Sequence, residues 1–256
     1  MSSLSINKKV VLLDLEAIIF DKDGTLIDVH HYWSTMITMR AIFIVKKWFS
    51  DVDSDKIQAD LIDAMGVDLT SKKIKPNGPV GVKPRSFIVD VAAQIVRLNR
   101  KNVSNDEIEN VFLQVDQKTS DNILPLLKLL PYVLQLLGDL HRCGVTIMLA
   151  TTDITSRARL SMRALGIEHF FSEIIGGDAV NLTKPSPDLA STVIKRCNVD
   201  RHKTAVIGDH PVDILMGVSA GIVCNIGVLT GLSSVNAFHE LDCFAVENLK
   251  CIQVSC

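Results

Sequence analysis

The chain has 256 residues, of which 47% are hydrophobic and 22% are charged, proportions that fit a globular protein and exclude a disordered or fibrous one. Its 27 basic and 29 acidic side chains give a formal net charge of −2, so no overall positive field is present to bind nucleic acid or an anionic membrane. We therefore expect no nucleic-acid or membrane partner, and any anionic ligand must be held by local groups.

The N-terminal residues 1–9 are polar, and no apolar run approaches the roughly eighteen residues that a membrane span requires. We therefore expect a cytoplasmic protein. The chain contains no Cys-x-x-Cys pair, and we expect its cysteines to be reduced. The cysteines are Cys143, Cys197, Cys224, Cys243, Cys251 and Cys256.

The first predicted element is an apolar strand over residues 18–20, which leads directly into Asp21, Asp23 and Gly24. Strand side chains alternate in direction, but a glycine-assisted turn beyond the strand can direct both carboxylates toward one crevice. Two converging acids indicate a divalent cation. Taken alone, the pattern also fits an ordinary surface turn, because Asp and Gly are common turn residues.

The next hundred residues have a different character and predict a helical domain over residues 30–128. Helices are predicted over residues 32–49, 55–65, 87–99 and 105–117, the last beginning after Ser104 with acids in its first turn. Residues 66–84 are rich in Gly, Pro and Lys and predict a loop. Aromatic side chains predicted to form the core of this domain are Trp33, Phe43, Trp48 and Phe49.

From residue 130 onward, short apolar runs alternate with amphipathic ones, a pattern typical of a parallel sheet in an α/β protein. Strands are predicted over residues 145–150, 173–175 and 204–207, and helices over residues 154–165 and 187–197. A further helix after Pro131 is predicted to bury Leu134, Leu137 and Leu140. The fully apolar strands imply helices on both faces of the sheet. Residues 1–29 and 129–256 are therefore predicted to form one sheet domain.

Polar residues follow four of these strands or the loops beyond them. They are Asp21 and Asp23, Thr151, Lys184, and the pair Asp209 and Asp213. In open parallel sheets ligands bind outside the carboxyl ends of the strands, so residues far apart in sequence can share one pocket there.

In these four motifs the sequence resembles the haloacid dehalogenase superfamily of phosphotransferases. That family carries an Asp-x-Asp-Gly-Thr turn, a Thr or Ser after the second core strand, a Lys, and Gly-Asp-x-x-x-Asp, and all four occur here in that order. The long gap between the first two motifs matches members with an inserted helical cap. The resemblance implies a Rossmann-like, doubly wound parallel sheet as the core and an α-helical cap domain.

The resemblance also implies roles for the individual residues. Asp21 would be the nucleophile that forms an aspartyl-phosphate, and Asp23 the general acid and base. Lys184 and Thr151 would stabilise the phosphoryl oxygens. Mg²⁺ would be held by Asp21, the main-chain carbonyl of Asp23, and Asp209.

Two points in the motifs stay open. Asp213 would bind the metal directly or through water, orient its neighbours, or simply begin a helix. Thr152 stands where relatives often have Asn. This difference does not affect the assignment of Thr151, but it leaves open whether Thr152 itself makes a contact in the site.

Asp23 favours phosphate monoester chemistry within the family, because dehalogenases and phosphonatases generally lack this second acid. We therefore expect a Mg²⁺-dependent phosphatase acting on a small phosphorylated metabolite, most similar in tail and cap to the phosphoglycolate-phosphatase-like subgroup. The alternatives are a sugar-phosphate mutase resembling beta-phosphoglucomutase and a non-catalytic binding protein on the same fold. The sequence leaves the oligomeric state open.

Several cap residues are weaker candidates for contact with a substrate. The resemblance implies that one of His30 and His31 contacts it, because both lie at the entry to the cap, where the substrate-contacting residues of relatives often fall. The remaining cationic candidates, each more often a solvated charge, are Arg40, Lys72, Lys73, Lys75 and Arg85.

Overall fold

A computed structural model of the chain describes residues 2–49, 54–75, 78–80 and 83–256. The chain divides into two compact units, one formed by Met1–Val29 with Lys128–Cys256 and the other by His30–Leu127. Within the described residues, no helix combines the length and the apolar character needed to cross a membrane.

The strands of the described residues all lie in the first unit and form two sheets. They are β1 (Ser3–Ile6), β2 (Lys9–Leu12), β3 (Ala17–Phe20), β4 (Thr146–Ala150), β5 (Glu173–Ile175), β6 (Thr204–Gly208), β7 (Cys224–Val228), β8 (Phe244–Val246) and β9 (Ile252–Ser255). The larger sheet is six-stranded and parallel, in the order β5-β4-β3-β6-β7-β8. The predicted α/β fold with a doubly wound parallel sheet is therefore confirmed.

The register of the central strands brings their carboxyl ends level. Phe20 of β3 pairs with Leu149 of β4 on one side and with Ile207 of β6 on the other. The chain leaves β3 toward β4 and β5 first and reaches β6, β7 and β8 later, so the strand order reverses at β3. Ligands bind at such a switch point in open α/β sheets, and the residues after β3, β4 and β6 lie there.

The helices comprise α1 (Val29–Trp48), α2 (Asp55–Ala64), α3 (Arg85–Leu98), α4 (Asn105–Asp121), α5 (Val133–Arg142), α6 (Thr155–Ala164), α7 (Asp188–Cys197) and α8 (Pro211–Ser219). In α5 the structure corrects one prediction, because Leu134 is exposed while Leu137 and Leu140 are buried. The buried face of α5 also includes Val133 and Leu136, and these four positions follow the helical spacing of i, i+3, i+4 and i+7.

The sequence analysis also missed the smaller sheet, in which β1 pairs antiparallel with both β2 and β9. A disulfide joins Cys143, which caps the end of α5, to Cys256, one residue beyond β9. The expectation that all cysteines are reduced is therefore wrong for this pair. The cysteines are 113 residues apart in sequence, and the pairing of β9 with β1, together with the packing of α5 on β9, brings them together.

The second unit consists of helices close to the predicted ones. Helix α4 begins with the expected cap: the Ser104 hydroxyl accepts from the main-chain N–H of Glu107, whose carboxylate accepts from that of Ser104. Positions 76–77 and 81–82 of the predicted loop over residues 66–84 lie outside the described residues, and the rest of it is turns with a short bridge between Val67 and Ile74. Of the aromatic side chains expected in the core, only Phe49 is fully buried, and Trp33, Phe43 and Trp48 are half-buried.

Arg40 also differs from expectation, because it is buried in this unit rather than solvated. Its guanidinium group lies over the ring of Phe112 and donates to Asp116, to which Arg85 also donates. Asp116 therefore pairs with both arginines within the unit.

The two faces of α5 allow a matched test of the core. Leu137→Ala removes a fully buried side chain and is expected to lower the free energy of unfolding by about 2–5 kcal/mol. Leu134→Ala on the exposed face of the same helix is expected to change it by no more than about 0.5 kcal/mol. Urea unfolding of both variants measures the difference, and equal losses would contradict the orientation of α5.

Candidate active site

The site is centred on Asp21, the first residue after β3. Its main-chain N–H donates to the carbonyl of Ile207 at 2.9 Å, which continues the pairing of β3 with β6 and fixes the backbone. The side-chain Nζ of Lys184 donates to Oδ1 of Asp21 at 2.6 Å and to Oδ1 of Asp213 at 2.6 Å. The Lys184 side chain is only 1% exposed, so its charge is neutralised within the site and not by solvent.

Asp213 lies in the first turn of α8, where it has two functions. Its Oδ2 accepts from the main-chain N–H of His210 at 3.0 Å, which caps the helix, while Oδ1 accepts from Lys184. Asp213 thus contacts both the N-terminus of α8 and the ammonium group of Lys184.

Two glycines leave space for the carboxylate of Asp209. Gly24 has a φ of +89°, which favours glycine, and a Cβ at this position would lie 2.4 Å from Oδ2 of Asp209. A Cβ on Gly231 would lie 1.6 Å from the same oxygen. The main-chain N–H of Leu232 donates to this oxygen at 3.3 Å. The segment around Gly231, which the sequence analysis did not select, thus forms one wall of the site.

Three carboxylates of this site lie close enough together to surround a divalent cation. Asp21, Asp209 and Asp213 each offer one oxygen, and these oxygens lie within 4.8 Å of one another. When all three are ionised, the carboxylates exceed the charge of Lys184 by two negative charges, and Mg²⁺ prefers such oxygen ligands. The side chain of Asp23 is not part of this group.

Burial and mutual repulsion shift the protonation of these acids. Burial raises the pKa of Asp21 to about 7, with Lys184 opposing the rise and Asp213 adding to it. Burial likewise raises the pKa of Asp209 to about 8, to which the charges of Asp21 and Asp213 contribute. For Lys184, burial lowers the pKa, but the two neighbouring carboxylates outweigh it and the pKa is raised. Lys184 therefore stays charged, whereas protons compete with a cation for the carboxylates of Asp21 and Asp209.

Thr151 follows β4, as the sequence predicts, and is buried. Its main-chain N–H donates to the carbonyl of Ile175 at 3.1 Å, and its hydroxyl oxygen accepts from the main-chain N–H of Asp153 at 3.2 Å. Because the hydroxyl oxygen accepts here, its proton can be donated to another group, such as an anion bound at the ends of the strands.

Lys22 lies between Asp21 and Asp23 in the chain, and the sequence analysis did not assign it a role. Its side chain is 2% exposed, and its Nζ lies 2.6 Å from Oδ2 of Asp153 and 3.1 Å from Oδ2 of Asp23. Burial lowers the pKa of Lys22, but Asp23 and Asp153 raise it further than burial lowers it. The signal available in the sequence was a lysine placed between two acids, directly after an apolar strand.

The two candidate histidines both contact residues of the helical unit. His30 Nδ1 accepts from the main-chain N–H of Ile74 at 3.2 Å, and His31 Nε2 lies 3.1 Å from the carbonyl oxygen of Pro125.

Comparison with known sequences identifies the family and several relatives. Residues 15–221 match the family model of the haloacid dehalogenase-like hydrolases. A probable phosphatase, IndB, from Dickeya dadantii is 31% identical over 41% of this chain and 46% of its own length. The pyrophosphatase PpaX of Halalkalibacterium halodurans is 30% identical over 36% of this chain and 44% of its own length. The chain thus spans less than half the length of these two relatives, whereas PpaX of Oceanobacillus iheyensis is 23% identical over 82% of both chains.

Comparison with solved structures gives matches over nearly the whole chain. A candidate beta-phosphoglucomutase from Thermotoga maritima superposes with a TM-score of 0.66 at 21% identity, covering 91% of this chain and 94% of its own. A predicted phosphoglycolate phosphatase from Haemophilus somnus superposes with a TM-score of 0.63 at 20% identity, covering 93% and 96%. At this identity the matches establish the fold.

The raised pKa values of Asp21 and Asp209 predict how Mg²⁺ binding depends on pH. Between about pH 4 and about pH 8 these carboxyls bind more protons in the folded than in the unfolded chain, so their contribution to metal-free stability falls as pH rises. Mg²⁺ needs the deprotonated form. We therefore expect saturating Mg²⁺ to raise the melting temperature by several degrees at about pH 8 and by clearly less at about pH 6.

Thermal unfolding with Mg²⁺ or with a chelator at the two pH values measures this difference. Equal shifts at both pH values would contradict the assignment of these carboxylates as the cation ligands.

Proposed function

The chain belongs to the haloacid dehalogenase-like hydrolases, and from that premise we propose that it is a Mg²⁺-dependent phosphatase of small phosphorylated metabolites. The observation that carries this proposal is the contact of 2.6 Å between Asp21 and Lys184 at the switch point of the sheet, with a second acid, Asp23, two residues further on. A carboxylate held beside a buried cation suits nucleophilic attack on an anionic phosphoryl group. The cytoplasmic location expected from the sequence is part of the proposal.

In the first step, a carboxylate oxygen of Asp21 attacks phosphorus and forms an aspartyl-phosphate. The bond from phosphorus to the ester oxygen breaks, and that oxygen takes a proton from Asp23 and leaves as the alcohol. In the second step, Asp23 removes a proton from a water molecule that attacks the phosphoryl group. The bond to Asp21 then breaks, which releases inorganic phosphate and restores both carboxyls.

The main barrier is the repulsion between a carboxylate and a phosphate that are both negatively charged. Lys184 reduces it because its ammonium group lies against the nucleophile, and the Thr151 hydroxyl would donate to a phosphoryl oxygen. Mg²⁺, when bound, would neutralise further charge on the phosphoryl group. We assign its protein ligands to Asp21, Asp209 and the main-chain carbonyl of Asp23.

Asp213 is better suited to positioning than to direct metal binding. Both of its carboxylate oxygens already accept hydrogen bonds, one from Lys184 and one from the main-chain N–H of His210. We therefore propose that Asp213 holds Lys184 against Asp21 and contacts the cation through water.

The relatives' names support phosphoryl hydrolysis as the reaction class. IndB is named a probable phosphatase and PpaX a pyrophosphatase, so both an ester and an anhydride of phosphate are reasonable substrates to test. A sugar-phosphate mutase is the second candidate, supported by the similarity in fold to the candidate beta-phosphoglucomutase. A non-catalytic role on this fold is disfavoured because both Asp21 and Lys184 are present.

The nucleophile assignment is tested by Asp21→Asn, which keeps the shape of the side chain but removes its negative charge. We expect hydrolysis of p-nitrophenyl phosphate to fall by about a thousandfold or more. Glu168→Gln, which removes a carboxylate paired with Arg163 on the exposed surface of the same unit, is the control and should retain the wild-type rate. Release of p-nitrophenol with and without a chelator also measures the dependence on Mg²⁺. Persistent Mg²⁺-dependent hydrolysis by Asp21→Asn would overturn the assignment.

Phosphatase and mutase activities differ in the fate of the phosphoryl group. With a hexose 1-phosphate, a phosphatase releases free phosphate, whereas a mutase returns the group to the sugar at the 6-position. We expect free phosphate, measured by a colorimetric assay alongside chromatography of the sugar phosphates. Formation of the 6-phosphate without free phosphate would favour the mutase.

A further inference from the structure

The buried ammonium group of Lys22 connects the turn after β3 to the loop after β4. It lies 3.1 Å from Oδ2 of Asp23 and 2.6 Å from Oδ2 of Asp153, and only 2% of its side chain is exposed. A lysine in this position is screened from solvent and cannot contact a substrate directly. Any effect it has on the reaction must pass through the two carboxylates.

Asp153 is itself fixed by its neighbours, so it can act as an anchor for Lys22. Its second oxygen, Oδ1, accepts from the main-chain N–H of Ile154 at 2.8 Å, and its carbonyl accepts from the main-chain N–H of Gly177 at 2.9 Å. Its own main-chain N–H donates to the hydroxyl of Thr151 at 3.2 Å. The carboxylate that holds Lys22 therefore belongs to a loop that several hydrogen bonds hold in place.

Asp23, in contrast, has little else to hold its carboxyl group. Its Oδ1 is buried and has no hydrogen-bond partner among the described residues, while 36% of its side chain remains exposed. Among the described residues, Lys22 is thus the side chain with which this carboxyl group makes a polar contact. Without Lys22, the carboxyl group would be free to rotate and would face the charge of Asp153 with no cation between them.

We propose that Lys22, anchored by Asp153, is a positioning residue that holds the carboxyl group of Asp23 in the orientation required for proton transfer to the leaving group. This inference rests on the proposed phosphatase function, in which Asp23 is the general acid and base. It extends that function to two residues that contact neither the substrate nor the cation.

A mispositioned general acid slows the hydrolysis of a substrate more when the leaving group of that substrate depends more on protonation. Phenyl phosphate and p-nitrophenyl phosphate have similar shapes, but p-nitrophenolate is much the more stable anion and leaves with little help. A general acid contributes about 10²- to 10⁴-fold to rate, so we expect Lys22→Met to lower kcat/KM for phenyl phosphate about tenfold more than for p-nitrophenyl phosphate. The ratio of the two values does not depend on how much of the sample is folded.

Arg163→Met is the matched control, because it breaks an ion pair with Glu168 on the exposed surface of the same unit. It should leave the ratio unchanged. Asp153→Asn should shift the ratio in the same direction as Lys22→Met but less, and should cause no further shift in a Lys22→Met background if it acts through the lysine. If Lys22→Met does not fold, the ratio for Asp153→Asn decides the question.

The outcomes separate this inference from the proposed function. If the wild-type protein hydrolyses neither ester, the proposed function fails. If it hydrolyses both and Lys22→Met lowers both values of kcat/KM by the same factor, or neither, the positioning role of Lys22 is wrong. A selective loss for phenyl phosphate, with the control unchanged, supports it.

Discussion

The contact of Lys184 with Asp21 and Asp213 is the interaction on which the site depends. Three carboxylates lie close together in a buried region, and without a cation their repulsion would oppose folding. Lys184 supplies one positive charge at 2.6 Å from two of them. Removing one partner of such a buried pair is costly because it leaves the other charge uncompensated. The contact that reduces the repulsion among the carboxylates therefore also places the ammonium group of Lys184 beside the proposed nucleophile, Asp21.

The parallel sheet makes this contact possible by bringing distant segments to one edge. Phe20 pairs with both Leu149 and Ile207, so the residues that follow these positions emerge at the same level. Close packing then adds a requirement for glycine. At Gly24 and Gly231 any side chain would collide with the carboxylate of Asp209. The geometry of the site therefore depends on the close approach of the backbone at these two glycines as well as on the acidic side chains.

Sequence reasoning was most successful where a local pattern has a single structural meaning. The apolar strand before Asp21, the cap at Ser104 and the strand ends before Thr151 and Asp209 are all found where the patterns place them. It failed where the outcome depended on contacts between distant segments. Leu134 satisfies an apolar spacing but lies on the exposed side of α5, and the disulfide of Cys143 with Cys256 depends on the pairing of β9 with β1.

The sequence by itself determined the fold class, the family and which acidic, hydroxyl and lysine residues stand after the core strands, because strand periodicity and motif order are local properties of a chain. Only the tertiary structure decided which of these groups touch. It placed Lys184 between Asp21 and Asp213 and Lys22 between Asp23 and Asp153. It also gave each carboxylate oxygen of Asp213 a hydrogen-bond donor. The physical reason is that a charged side chain has many possible partners along a chain. Once it is buried away from water, its charge must be paired and hydrogen-bonded by groups that the fold brings next to it.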